Sequence, residues 1–204
     1  ISDANKRVPY QVYESLFYTM LNKCHSITQQ TTFKFKNPLY ALDSSIIDLC
    51  LSVFDWAKFR RAKGGIKLHC LLDIKTQIPA FNVITTAKES DVTVAKETDF
   101  PLSPDSIVTF DRAYVDFSLF QTYEKAGVFF VTRVKENLRF TFLGQQEIPK
   151  KKGLQFDHIV EIKNSKQRKK YPEKLRFIGY FDHDTNKTYQ FLTNNFKLAA
   201  ITIV

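Results

Sequence analysis

The chain has 204 residues, enough to bury a hydrophobic core as one large domain or as a core with an appended subdomain. Hydrophobic residues make up 44% of it, including 19 Phe and 9 Tyr, and this composition excludes an intrinsically disordered chain. The formal net charge of +9 is concentrated in residues 57–67 and 150–176. Localised positive charge is typical of surfaces that bind polyanions such as nucleic acid, although solvated loops also carry it.

The first third of the chain predicts one helix and then three strands. Residues 10–27 carry apolar side chains at helical spacing, and Pro9 suits the first helical turn. Three apolar, β-branched segments follow and predict strands: residues 38–54, 66–74 and 80–87. A tight turn is expected at Gly64–Gly65, before the second strand. These three strands would form an antiparallel meander.

The middle of the chain predicts helices that alternate with strands. A short helix with Thr86 or Ser90 as its N-cap precedes a fourth strand at residues 106–110. A second helix ends at Gly127 and leads into a fifth strand at residues 128–134. The crossover requires strands four and five to be parallel. The order βββαβαβ is that of a ribonuclease-H-like α/β fold: three antiparallel strands and then two parallel ones, in a mixed sheet flanked by helices.

After Arg133 the pattern changes to short alternating segments separated by lysine-rich turns. We therefore predict a ribonuclease-H-like core in residues 1–133 and a β-rich insertion in residues 134–194. Residues 195–204 are expected to begin a further helix, capped by Asn194 or Asn195, which the chain leaves incomplete. We expect the chain to be a fragment that starts and ends within a longer protein.

Several common classes of protein lack support in this sequence. There is no GxxxxGK[ST], GxGxxG, GxSxG or HExxH motif, and the four histidines have no zinc-ligand spacing. The three cysteines lie apart in apolar stretches, which favours reduced core thiols over a disulfide framework. No run of about 18 apolar residues predicts a membrane span, and no apolar leader precedes the first helix. We therefore expect a cytoplasmic, nucleoid-associated protein.

Two aspartates are expected to meet in the predicted sheet. Asp43 lies in strand one and Asp111 ends strand four, and these strands are neighbours in this sheet order. Two adjacent carboxylates repel each other unless a cation lies between them, and carboxylate oxygens suit Mg²⁺ or Mn²⁺. Two such ions can promote phosphodiester cleavage. An aspartate at a strand end is also a common turn residue, and Asp73 is the replacement candidate if Asp43 fails.

The stretches "NPLYALDSSIIDLCLSVFDWAKFRRAKGGIKLHCLLD" and "TFDRAYVDF" resemble the catalytic core of DDE-type insertion-sequence transposases, in the family named for the fourth insertion sequence. The resemblance covers most of the chain. It implies DNA cleavage at transposon ends, strand transfer, two Mg²⁺ or Mn²⁺ ions, double-stranded DNA as substrate, and a homodimer on DNA. It also implies that Asp43 and Asp111 are the first two catalytic carboxylates.

In that family the third carboxylate belongs to a Tyr-x-x-Arg-x-x-x-Glu pattern on a helix after the β-rich insertion. The pattern is absent from this sequence. We therefore expect the intact protein to be an enzyme and the 204-residue piece to be inactive alone. Two alternatives remain open: a DNA-binding module from a decayed or domesticated transposase, and another ribonuclease-H-like nuclease with its third carboxylate inside this chain.

Basic residues near these aspartates are the candidates for DNA contact. Arg112 follows the second aspartate, and it would either clamp a phosphate or form a salt bridge that orients Asp111. Contacts to backbone phosphates are predicted for the remaining basic residues around strands two and five: Arg60, Arg61, Lys63, Lys67, Arg133 and Lys135. His69 is expected to be a hydrogen-bonded core histidine rather than a metal ligand.

Overall fold

The computed structural model describes residues 7–27, 33, 35–49, 58–60, 63–148 and 153–204. The strands in these residues are β1 (Leu39–Leu49), β2 (Lys58–Arg60), β3 (Lys63–Asp73), β4 (Ile78–Thr86), β5 (Ile107–Phe110), β6 (Phe129–Arg133), β7 (Phe140–Gln145), β8 (Leu154–Ile162), β9 (Leu175–Asp182) and β10 (Lys187–Thr193). The helices are α1 (Tyr10–Ile27), α2 (Asp91–Glu97), α3 (Phe117–Lys125), α4 (Ser165–Lys170) and α5 (Ala200–Ile203), with a 3₁₀ turn at Arg112–Tyr114. None of the helices in the described ranges is long and apolar enough to cross a membrane.

The strands form one continuous sheet in the order β2-β3-β1-β5-β6-β10-β9-β8-β7, and β4 also pairs with β3. β1 is antiparallel to β3, and β3 is antiparallel to β4, as predicted for the meander. β1, β5 and β6 are parallel to one another. The series β4-β3-β1-β5-β6 therefore confirms the predicted ribonuclease-H-like sheet.

The hydrophobic core lies between one face of this sheet and helices α2 and α3. Val108, Phe110 and Phe130 point into it from β5 and β6, and the Phe120 ring of α3 stacks on Phe130 at a centroid distance of 4.1 Å. Core residues of the later strands belong to the same cluster: Val160, Ile162, Leu175 and Leu192. The sheet and the core thus continue past residue 133, and the division into a core and an insertion stays a prediction.

Two local signals act as the sequence predicted. The Ser90 side chain caps α2 by accepting a hydrogen bond from the Thr93 amide at 3.1 Å. Gly127 follows the end of α3 with φ of 68°, a left-handed conformation that glycine adopts without steric cost. The Ser90 cap thus fixes the start of α2, and Gly127 turns the chain from α3 into β6, the strand next to β5.

Two other local predictions are wrong. Gly64 and Gly65 do not form a turn, because they belong to β3 and pair with Leu49 and Asp48 of β1. The lysine-rich stretch before β9 forms the helix α4, capped by the Asn164 side chain, rather than a turn.

The C-terminal helix begins later than predicted, at Ala200. Asn195 instead stabilises the preceding turn, where its side-chain oxygen accepts hydrogen bonds from the amides of Lys197 and Leu198. The Asn194 side chain is also engaged elsewhere, because its oxygen accepts a hydrogen bond from the Phe130 amide of β6.

Candidate functional site

Asp43 and Asp111 lie side by side on neighbouring strands. Leu42 of β1 pairs with Phe110 of β5, and Asp43 and Asp111 are the next residue along each chain segment. Leu42 and Phe110 are buried on the core face. Because side chains alternate along a strand, Asp43 and Asp111 both point to the opposite face, where both are exposed. Neighbouring strands are roughly 5 Å apart, so the backbones bring the two carboxylates to the same part of this face.

Local hydrogen bonds hold both aspartates. One Asp43 oxygen accepts from the Ser44 amide at 2.8 Å. One Asp111 oxygen accepts from the Ala113 amide at 2.6 Å, which makes Asp111 the N-cap of the 3₁₀ turn. The Thr132 hydroxyl of β6 donates to the Asp111 carbonyl at 3.3 Å. The backbone at the tip of β5 is therefore anchored to the next strand.

The raised pKa values of two neighbouring side chains indicate negative charge at this site. Burial raises the pKa of the Tyr114 hydroxyl, and the negative charges of Asp91, Asp43 and Asp111 raise this pKa further. Burial also raises the pKa of the Cys70 thiol, and the negative charge of Asp43 raises this pKa further. Cys70 lies opposite Asp43 on β3. An acidic site of this kind favours a bound cation.

A polar network lies behind Asp43, on the core side of the sheet. The Ser44 hydroxyl donates to an Asp91 oxygen at 2.7 Å, and the Lys67 ammonium lies 3.2 Å from the same oxygen. Lys67 also donates to the Glu89 carbonyl at 2.8 Å. Lys67 is only 8% exposed. It is therefore an interior ion-pair partner of Asp91. Its contact with DNA stays a prediction, which this burial does not favour.

His69 belongs to the same network and fills the structural role predicted for it. One ring nitrogen lies 3.0 Å from the Thr85 hydroxyl, and the ring is almost completely buried. Burial lowers the pKa of His69, although the nearby Asp91 charge opposes this shift. His69 is therefore neutral at physiological pH and supports β3 and β4 from the core side.

Two of the basic candidates line a pocket, and a third is half-buried. Arg112 and Arg133 are exposed and line one pocket of about 240 Å³, in which the Arg133 guanidinium lies 4.6 Å from the centre of the Tyr189 ring. Lys135 is half-buried and donates to the Val115 carbonyl at 3.5 Å.

Of the remaining basic candidates, Arg61 lies outside the described residues, and only the backbones of Arg60 and Lys63 are described. The alternative role predicted for Arg112 is not seen, because no ion pair joins it to Asp111 within the described part of the chain.

Arg133 is the basic residue best placed beside the aspartates. Phe110 of β5 pairs with Thr132 of β6, so the next residues, Asp111 and Arg133, are neighbours on the same face. An arginine there can bind a phosphate oxygen beside a metal held by the carboxylates.

Asp73, the replacement candidate, has a different position and role. It pairs with Tyr40, three residues before Asp43 along β1, and its carboxylate accepts from the Lys75 amide at 2.8 Å. It therefore holds the turn between β3 and β4, as aspartates at strand ends often do.

The face that carries Asp43 and Asp111 also carries the C-terminal segment. Leu198, Thr202 and Ile203 line an apolar pocket of about 230 Å³ together with residues of the central strands: Leu39, Ile107, Thr109 and Val131. The chain leaves β10 and returns across the central strands on this face. Sequence reasoning predicted a helix here but not its position on the sheet.

The side chains present fit a divalent cation in part. Two exposed carboxylates on adjacent strands are hard oxygen ligands of the kind that Mg²⁺ and Mn²⁺ bind. Among the described residues, no group of three or more His, Cys, Asp or Glu side chains has the geometry of a metal site. Asp43 and Asp111 would therefore supply two of the ligands.

Sequence reasoning did not single out several residues around this site. Ser44, Tyr114 and Asp91 surround the aspartates from the core side. Ser44 and Tyr114 belong to the same short stretches as Asp43 and Asp111, so their position in the sequence was a usable signal. Asp91 had none, because only the fold brings α2 to β1.

Comparison with known proteins identifies the family. Residues 34–204 match the family model described as "Transposase DDE domain". The chain belongs to this family. It is 26% identical over 138 residues to a protein of Geobacillus stearothermophilus described as a probable transposase for insertion sequence element IS5377. That alignment covers 68% of this chain and 36% of the relative.

A second relative of this transposase DDE domain, from Sinorhizobium fredii (strain NBRC 101917 / NGR234), carries the name transposase y4zB. It is 28% identical over 207 residues, which cover 100% of this chain and 56% of the relative. The chain thus spans about a third to a half of the length of these relatives. Among solved structures, an endonuclease V from Streptomyces avermitilis aligns over 93% of this chain and 80% of its own, with a TM-score of 0.37 and 8% identity.

Proposed function

We propose that this protein is the catalytic core of a DNA transposase that hydrolyses phosphodiester bonds at transposon ends and transfers the freed 3′ ends to target DNA. One observation carries the proposal: in a chain of the transposase DDE domain family, Asp43 and Asp111 share one exposed face of adjacent strands. Paired carboxylates on neighbouring parallel strands suit the binding of divalent cations near a phosphate.

Each residue of the site has a distinct task. Asp43 and Asp111 would hold Mg²⁺ or Mn²⁺, and two such ions would activate the attacking water and stabilise the leaving oxygen. The hydrogen bonds from Ala113 and Thr132 keep Asp111 oriented without the cation. Arg133, beside Asp111, would neutralise a phosphate oxygen next to the cleaved bond, and Arg112 would bind the adjacent phosphate.

We propose that the third carboxylate comes from sequence beyond Val204. The family resemblance assigns it to a helix after the β-rich strands. The position of α5 supports this assignment, since α5 lies over the face that carries Asp43 and Asp111. Residues 1–204 alone would then bind DNA without cutting it.

The remaining features of the function are proposed from the family. The substrate would be double-stranded DNA, both at transposon ends and at the target, and the intact protein would act as a homodimer on paired ends. The exposed guanidinium groups of Arg112 and Arg133, which line one pocket beside the aspartates, favour a partner that carries phosphate groups. A cytoplasmic, nucleoid-associated location would follow from this substrate.

The test is cleavage of transposon-end DNA by the full-length protein in Mg²⁺ or Mn²⁺. Asp43→Asn and Asp111→Asn should each reduce strand cleavage by more than about 100-fold while DNA binding persists. Asp48→Asn is the matched control, because Asp48 lies on the same strand but points to the opposite face. Wild-type cleavage by either Asp43→Asn or Asp111→Asn would refute the proposal. Tight DNA binding without cleavage by the wild-type protein would favour a DNA-binding module instead.

A further inference from the structure

The most deeply buried charge in the described residues is the guanidinium of Arg176, on β9. Arg176 is 1% exposed, and Asp157 of β8 is 2% exposed. The Arg176 Nε donates to one Asp157 oxygen at 3.2 Å, and its Nη2 donates to the other oxygen. A two-pronged contact of this kind fixes the orientation of the guanidinium plane.

The third nitrogen of this guanidinium holds the segment that precedes α5. The Arg176 Nη1 donates to the Asn195 carbonyl at 2.7 Å and to the Leu198 carbonyl at 2.6 Å. Both carbonyls belong to the turn that the Asn195 side chain closes from within. The turn is therefore constrained from two sides, by its own asparagine and by a side chain from the sheet.

Arg176 lies on the same face of the sheet as the candidate catalytic aspartates. It pairs with Thr193 of β10, and Thr193 pairs with Val131 of β6. Val131 lines the apolar pocket under α5, together with Ile107 of β5. The guanidinium therefore contacts the turn at the point where the chain leaves β10 and crosses toward β5 and β1.

Stability alone does not account for a buried ion pair at this place. Moving two charges out of water is costly, and well-packed apolar side chains of similar volume often stabilise a protein as much or more. An apolar pair would fill the space between β8 and β9, but it could not donate to the two carbonyls of the turn. The contact that needs an arginine is the contact to the segment Asn195–Leu198.

We propose that Arg176, oriented by Asp157, is a positioning residue that sets the path of the chain from β10 into the C-terminal helix, and so the placement of the helix relative to Asp43 and Asp111. The inference rests on the proposed function, because the placement matters for cleavage only if this helix leads to the third carboxylate. A shift in the turn would move the helix axis and weaken the shared cation site without touching the aspartates.

The experiment uses the full-length protein with Arg176→Lys and Asp157→Asn. Arg176→Lys keeps the charge but loses the planar fork, and Asp157→Asn keeps the arginine but loosens its orientation. Leu175→Ala is the matched control, because Leu175 is the fully buried neighbour that points to the other face of β9. It lowers stability without contacting the turn. Asp43→Asn serves as the reference for a disabled site.

Three quantities are measured below the unfolding midpoints: amide hydrogen exchange in residues 195–203 without metal, end-DNA binding, and the Mn²⁺ dependence of cleavage. Both pair variants should exchange faster in residues 195–203, bind DNA as the wild type does, and lose about 10–100-fold in cleavage with a higher half-saturating Mn²⁺ concentration. Leu175→Ala should match the wild type in its Mn²⁺ dependence and in exchange of that segment.

Each remaining outcome decides the question. If the pair variants keep the wild-type Mn²⁺ dependence and cleavage while Asp43→Asn is inactive, the positioning role is refuted and the proposed function stands. If neither pair variant folds, the pair is a stability element and the inference is wrong. If Asp43→Asn still cleaves, the proposed function itself fails.

Discussion

Asp111 combines two roles that substitution can separate. Its carboxylate caps the 3₁₀ turn by accepting a hydrogen bond from the Ala113 amide at 2.6 Å, and it is the proposed ligand of the catalytic cation. Asparagine retains an oxygen that can cap the turn but is a weak ligand for Mg²⁺, whereas alanine removes both functions. Comparing Asp111→Asn with Asp111→Ala therefore distinguishes a structural aspartate from a catalytic one.

The structure sets the size of each effect. The cap is one exposed hydrogen bond, and replacing such a cap by alanine costs about 1 kcal/mol. In a chain of this length, that cost corresponds to a fall of about 2–4 °C in the unfolding midpoint, and the shift is smaller in the longer full-length protein. Asp111→Asn should stay within about 0.5 kcal/mol of the wild type. Cleavage should fall equally in both variants, by more than about 100-fold.

Asp116 supplies the control for this comparison. It caps α3 by accepting hydrogen bonds from the Ser118 and Leu119 amides at 2.9 and 3.1 Å. Asp116→Ala should lose stability as Asp111→Ala does, but should cleave end DNA as the wild type does. Midpoints come from thermal unfolding and rates from cleavage of labelled end DNA, both with the full-length protein. If Asp111→Asn were to cut at the wild-type rate, the carboxylate would be a cap and nothing more.

Further predictions concern pH, packing and DNA affinity. The native pKa of His69 lies below the unfolded value of about 6.5, so the unfolded state binds a proton first as pH falls. His69 should therefore contribute a loss of stability below about pH 6.5 of up to 1.4 kcal/mol per pH unit. In pH-dependent urea unfolding, His69→Gln should remove this contribution, and an unchanged slope would assign the proton elsewhere. Gly179→Ala would place a methyl group within 2.7 Å of three Phe156 ring carbons, and should lower the free energy of unfolding by about 1–3 kcal/mol. Gly144→Ala, with no atom within 4 Å, should change it by less than about 0.5 kcal/mol, and equal effects in the two variants would contradict the packing at Gly179. Arg133→Ala should weaken end-DNA binding and lower the slope of log K against log salt concentration by about 1. Lys67→Met should leave that slope unchanged, because Lys67 is paired with Asp91. Fluorescence anisotropy across a salt series measures both slopes, and the reverse ranking would contradict the assignment.

The strands and helices of this protein were largely predictable because their signals are local. The apolar residues of β5 and β6 and the caps at Ser90 and Gly127 predict those elements within their own segments. The sheet order followed from the crossover rule, and it placed β1 beside β5 before any coordinate was known. The adjacency of Asp43 and Asp111 is a consequence of this order.

Predictions failed where distant residues overrode a local preference. Gly64 and Gly65 favour a turn in isolation, but pairing with β1 extends them into β3. Asn195 favours a helix start, yet the contacts of Arg176 hold its carbonyl in a separate turn before α5. In each case the residues that determine the conformation lie elsewhere in the chain, and no pattern within the segment predicts their contact.

The sequence by itself determined the fold class, the family and the placement of Asp43 and Asp111 on neighbouring strands, since periodicity and short motifs lie along the chain. Only the tertiary structure decided which charges face solvent. Arg133 and Lys67 look alike in the sequence, but one is exposed beside Asp111 and the other is buried against Asp91. The reason is physical: the free energy of a charged side chain depends on its solvation and its partners, and both are set by residues that the fold brings together from distant parts of the chain.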